Sequence, residues 1–135
     1  MKNYNKKNSL LKRICVDFDG TICANKEGNE SYKDVKPLPG AIEALKELKS
    51  LGYEIVIHTA RNMATHNNNV AKITAVQAPV IIEWCKKYEC PFDELLFGKP
   101  HVDFFIDDKG IPFTNWKDIK DTILKKSQLI LNNQK

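Results

Sequence analysis

A three-layer α/β fold with a mostly parallel central sheet is what this sequence predicts. Three observations carry the prediction. Short apolar runs of strand type alternate with amphipathic helical stretches. The strand runs are nearly continuous in apolar residues, as expected when helices cover both sheet faces. Each run also ends abruptly in small, polar or charged residues.

The elements follow in order. "RICVDF" at 13–18 is a short β-type run and a candidate buried strand. A polar, irregular stretch follows. "PLPGAIEALKELKSLG" predicts a helix. Pro39 marks its start, Ile42, Leu45, Leu48 and Leu51 recur three apart, and Gly52 supplies the stop. "YEIVIHT" is a second strand. "ARNMATHNNNVAKITAVQ" is polar and reads as a loop leading into a short helix, with Asn67 to Asn69 as a run of asparagines. Pro79 opens a second helix, "PVIIEWCKKYE". "ELLFG" is a third strand and "VDFFIDD" a fourth, with Phe104 and Phe105 facing opposite sides of the sheet. The closing stretch "TNWKDIKDTILKKSQLILNN" is an amphipathic helix that turns Trp116, Ile119, Ile123 and Ile130 toward the body.

Composition bounds the function classes. The chain has 135 residues, 42% hydrophobic and 28% charged, which fits one soluble domain with one core. The expected organisation is a flexible N-terminal tail over 1–9 and a single domain over 10–135. No apolar run approaches the ~20 residues of a membrane helix, and the basic start "MKNYNKKNSLLKR" lacks the apolar middle of an export signal. The net charge of +4 is mild and scattered; it favours anionic small molecules and argues against nucleic acid. Cys15, Cys23, Cys85 and Cys90 form no C-x-x-C and no zinc spacing, so they read as small buried hydrophobes with free thiols, in keeping with a reducing cytoplasm. His58, His66 and His101 read as structural or surface residues, and Trp84 and Trp116 as core.

In an open α/β sheet, ligands bind at the carboxyl ends of the strands. Those ends carry Asp17 and Asp19, then Thr59, then Gly98 and Lys99, then Asp107 and Asp108. Converging carboxylates repel unless a cation joins them, and hard oxygen donors favour Mg²⁺. One aspartate can then attack phosphorus and form an aspartyl phosphate. A second, two residues on, can protonate the leaving oxygen and then activate water. A lysine and a hydroxyl suit the phosphoryl oxygens, and Gly20 lets backbone approach them.

With these residues the chain resembles the haloacid dehalogenase (HAD) superfamily of phosphotransferases. "CVDFDGT" matches the first motif of that family, and Thr59, Lys99 and the Asp107–Asp108 pair match the other three. The resemblance spans about residues 13–110. It implies a Rossmann-like fold with Asp17 as nucleophile and Asp19 as general acid/base. Asp19 would also ligate Mg²⁺ through its backbone carbonyl. Thr59 and Lys99 would hold the phosphoryl group, and Asp17, Asp107 and Asp108 would complete the metal site, with the order of the last two open. Phe18, Gly20, Thr21 and Ala60 beside the motifs are candidate substrate contacts. The gaps after the first strand and between Thr59 and Lys99 are too short for a large cap domain.

A further stretch, "TARNM" to "GKP", is similar to small phosphatases of capsule and polysaccharide biosynthesis. It implies a sugar phosphate or related metabolite as substrate, with Arg61, Asn62 and Lys72 as contacts. The alternatives weighed are a nucleotidase, a polynucleotide phosphatase and a non-catalytic binding module derived from the enzyme. A phosphorylated receiver domain fits less well, because there the acidic pair comes first and not last. A homo-oligomer is left open.

Overall fold

The computed structural model describes residues 13–133, so the tail expected over 1–9 lies outside the described residues. Three strands form one parallel sheet in the order β1 (Arg13–Val16), β2 (Glu54–Thr59), β3 (Glu94–Phe97). Val16 pairs with Ile57 and Thr59 with Phe97, which levels the carboxyl ends of the three strands. Helix α1 (Ala41–Ser50) joins β1 to β2, α2 (Val70–Tyr88) joins β2 to β3, and α3 (Trp116–Asn133) ends the described chain. α1 packs on α3 and β2, and α2 packs on β3 and on a single 3-10 turn at Tyr32–Asp34. Ile55 and Ile57 of β2 are fully buried among Leu45, Leu48, Ile81, Trp84 and Phe18. Their burial supplies the main driving force, roughly 25 cal/mol for each Å² of apolar surface removed from water.

α1 forms where its sequence predicts, except that Leu51 lies just past its end and is exposed. The chain leaves it at Leu51, whose N–H bonds to Glu47 O, and Gly52 takes φ 95°. α2 differs from expectation. It starts nine residues before Pro79, which sits inside the helix rather than opening it. Two features explain the early start. Asn69 caps the helix, its side chain accepting from Lys72 N–H at 3.1 Å, and Ile73, Gln77, Ile81 and Trp84 recur on one buried face. Pro79 forfeits only the bond to the Ala75 carbonyl, and both residues are exposed, so water can serve that oxygen. The loop before the cap uses its asparagines where φ is positive: Asn62, Asn67 and Asn68 lie between 49° and 62°.

The fourth strand does not form. Residues 101–110 are all exposed and carry no strand, so Phe104 and Phe105 both face solvent instead of opposite sides of a sheet. A run of apolar residues such as Phe104 to Ile106 makes a strand only where its faces are covered, and here that cover is missing. Cys15 is likewise exposed rather than buried, since β1 has no strand neighbour on its outer side among the described residues. In α3, Trp116, Ile119 and Ile123 are buried as expected, but Ile130 is exposed; the last turns run past the body. The four cysteines are free thiols.

Candidate active site

Asp17 follows directly on β1, and a tight turn follows it. The Phe18 carbonyl accepts from the N–H groups of Thr21, Ile22 and Cys23 at 3.2, 2.9 and 3.2 Å. Gly20 closes the turn at φ 81°, and a Cβ there would stand 3.2 Å from Asn25 Nδ2. Two long-range bonds fasten this region. Trp116 Nε1 donates to Thr21 O at 2.6 Å, and Trp84 Nε1 donates to Val35 O at 2.7 Å. Both indoles lie in the core as expected, yet each also spends its N–H on a loop beside the site.

The two aspartates have different partners. Asp17 Oδ1 lies 3.6 Å from Lys99 Nζ, with both side chains partly exposed. Burial raises the Asp17 pKa; the Lys99 ammonium and the Phe18 N–H oppose that rise, and the Asp19 charge adds to it. Asp19 turns to Arg61, which grips it with Nε to Oδ2 at 2.9 Å and Nη2 to Oδ1 at 2.7 Å. Cys23 Sγ sits 3.5 Å from Asp19 Oδ1 as a donor. Burial first, and the Asp19 charge second, push the Cys23 thiol pKa up, so it keeps its proton.

Thr59 and Lys99 are joined through the backbone. The Thr59 side chain is buried and its hydroxyl accepts from Arg61 N–H at 3.0 Å, while its carbonyl accepts from Lys99 N–H at 3.2 Å. Gly98 before Lys99 takes φ 86°, and a Cβ there would lie 3.0 Å from Val70 Cγ2 at the start of α2. That close approach explains the glycine of "GKP". Lys99 Nζ also sits 5.0 Å from the Phe105 ring centroid.

The structure thus brings together Asp17 with Lys99, and Asp19 with Arg61, whose backbone N–H in turn meets the Thr59 hydroxyl. Other expected residues are placed elsewhere. Phe18 is fully buried, its ring edge-on to Trp84 at 5.0 Å and 5.0 Å from the Arg61 guanidinium, so its side chain is closed to a substrate. Arg61 is equally unavailable as a substrate contact: its side chain is 1% exposed. Lys72 is exposed on the first turn of α2, where its N–H serves the cap. Ala60 and Asn62 are half-buried, and their carbonyls accept from Met63 and His66 N–H. Asp107 and Asp108 are exposed, and Asp107 Oδ1 is used in a local turn, accepting from Lys109 N–H at 2.8 Å.

Among the described residues no three His, Cys, Asp or Glu side chains gather closely enough to hold a metal ion. The donor set the sequence predicts is therefore not assembled in this arrangement, because the Asp107–Asp108 pair lies in the exposed loop; the Arg61 grip takes the Asp19 side chain and not the carbonyl that the resemblance assigns to the metal. Tyr32 and Gln77 belong to the site and were not singled out from the sequence. Tyr32 stacks 4.1 Å from the Arg61 guanidinium, and Gln77 Oε1 accepts from Arg61 Nη1 at 3.3 Å. A buried arginine needs such partners, but nothing in the spacing of Tyr32 or Gln77 marks them as those partners.

Comparison with known proteins places the chain in a family. The family of haloacid dehalogenase-like hydrolases matches residues 14–92. A crystallised target protein from Vibrio cholerae is 38% identical, with TM-score 0.74, covering 92% of this chain and 99% of its own. A conserved protein from Bacteroides thetaiotaomicron is 25% identical, with TM-score 0.56, covering 84% and 90%. No curated protein matches. With the family model matched over residues 14–92, more than half of the chain, the chain belongs to the haloacid dehalogenase-like hydrolases, and the described residues hold no large cap domain.

Proposed function

We propose that the protein is a phosphomonoester hydrolase working through an aspartyl phosphate on Asp17. The observation that carries this reading is the Asp17–Lys99 pair, which meets across the carboxyl end of the sheet from β1 and β3, 3.6 Å apart and partly open to solvent. A carboxylate oxygen of Asp17 attacks phosphorus, and the bond to the ester oxygen breaks. Asp19 gives that oxygen a proton. Water then attacks the aspartyl phosphate, its proton passes to Asp19, and the bond between phosphorus and Asp17 breaks to release inorganic phosphate. Lys99 balances charge on the phosphoryl oxygens, and Thr59 and the backbone of Gly20 shape their cradle.

Mg²⁺ is the cofactor proposed from the family. Asp17, the Asp19 carbonyl, Asp107 and Asp108 are the residues assigned to it. Because the described arrangement does not bring them together, none of the steps above runs through the metal. The proposed substrate is a sugar phosphate or related metabolite, on the resemblance of the stretch from Thr59 to Pro100, and the proposed location is the cytoplasm.

The test is phosphate release from a panel of sugar phosphates, nucleotides and an aryl phosphate, with Mg²⁺ and with chelator, beside Asp17→Asn. Turnover that needs Mg²⁺ and vanishes in Asp17→Asn supports the reading, and the best ester names the substrate class. Equal turnover by Asp17→Asn rejects the covalent route. Folded protein that turns over nothing favours the binding-module alternative.

A further inference from the structure

We propose that Arg61 is a positioning residue for Asp19, held in place by Tyr32, Phe18 and Gln77, and that it orients Asp19 for the water step. The inference rests on the aspartyl-phosphate reading above.

Every nitrogen of the Arg61 guanidinium is used. Nε and Nη2 grip the two Asp19 oxygens at 2.9 and 2.7 Å, and Nη1 donates to Gln77 Oε1 at 3.3 Å. The plane is bracketed by two rings, with Tyr32 at 4.1 Å and Phe18 at 5.0 Å. The side chain is 1% exposed. A guanidinium so enclosed has one geometry, and its rigid fork passes that geometry to the carboxylate it holds at both oxygens. Phe18 is itself fixed edge-on against Trp84, so the orientation of Asp19 is inherited from the core. Meanwhile Asp17 faces Lys99 instead. Two cations thus hold the two carboxylates apart, one for attack and one for proton transfer. Tyr32 brings the polar loop after β1 into the same stack, so that loop also bears on Asp19.

An aryl phosphate separates this role from a merely structural one. Its leaving group departs with little protonation, so the first step makes small demands on Asp19. Hydrolysis of the aspartyl phosphate still needs a base aimed at water, and a misplaced base costs about tenfold or more. With p-nitrophenyl phosphate, Arg61→Lys should lower kcat at least tenfold while kcat/KM stays within about threefold. KM then falls with kcat, and acid-quenched protein carries more phosphate on Asp17. Tyr32→Leu, which leaves the ion pair in place, should show the same split at smaller size. Equal loss of kcat and kcat/KM in both variants overturns the proposal.

A second measurement does not need turnover. In urea unfolding, a double-mutant cycle of Arg61→Lys with Asp19→Asn should show coupling of at least fivefold in the unfolding equilibrium constant; additive effects overturn the proposal. Wild-type protein that hydrolyses no ester rejects the phosphatase reading, and with it the water step. The cycle still decides whether Arg61 holds Asp19.

Discussion

Trp84→Phe tests how the loop beside the site is held. In the wild type, Trp84 Nε1 donates to Val35 O at 2.7 Å, and both residues are buried. Phenylalanine keeps a ring against Phe18 but has no N–H. The Val35 carbonyl is then left buried without its partner, which costs about 1–3 kcal/mol. Loss of the indole's extra atoms removes about 1 kcal/mol more of buried apolar contact. The expected total is about 2–4 kcal/mol, a large part of the ~5–15 kcal/mol typical of a domain. Equilibrium urea unfolding, followed by the fluorescence of the remaining Trp116 and by circular dichroism, reads it directly. The midpoint should fall with the slope unchanged. Trp84→Leu should cost about 1 kcal/mol more, because the ring contact goes as well. A Trp84→Phe cost below about 1 kcal/mol would refute the reasoning, since it would mean that water reaches the Val35 carbonyl and the loop is not pinned there.

Asp17→Asn should leave the protein folded, and at neutral pH at least as stable as wild type. Burial raises the native pKa of Asp17 above the ordinary 3.8, so its native contribution is fully present below 3.8 and is lost as pH rises through the raised value. The stability gap between mutant and wild type should therefore shrink toward acid, as melting temperatures across pH will show; a gap that grows toward acid contradicts the burial argument. Gly98→Ala should destabilise by about 1–2 kcal/mol from its positive φ alone, with more from the 3.0 Å approach to Val70. Pairing it with Val70→Ala should recover the contact part and leave the conformational part, as thermal unfolding of the two variants will show. Ile106→Lys should change stability by less than about 0.5 kcal/mol, because Ile106 is fully exposed; a large loss in urea unfolding would show that residues 102–108 pack as a strand after all.

The parts of the fold that the sequence announces are those with local causes. Ile42, Leu45 and Leu48 at helical spacing, with Gly52 behind them, are a complete helix signal. The apolar runs ending at Val16, Thr59 and Phe97 lead into Asp17, Thr59 and Lys99 because strand ends and motif residues coincide. What escaped depends on distant neighbours. "VDFFIDD" has the apolar run of a strand but no covering partner. Pro79 reads as a helix start because the Asn69 cap and the buried Gln77 face are quieter than a proline. Arg61 reads as a contact for substrate because its burial comes from Phe18, Tyr32 and Gln77, which lie 16 to 43 positions away in the chain.

The bond from Trp116 to the Thr21 carbonyl spans 95 residues. It ties the turn that carries both aspartates to the first residue of the last helix. On a ribosome Asp17 and Asp19 are made early, yet this bond to their turn cannot form until residue 116 has emerged. Contacts this far apart in sequence form late and slowly. A nascent chain halted before residue 116 would carry both aspartates on a turn that lacks this tie, so the ordering of the candidate site waits for the start of α3.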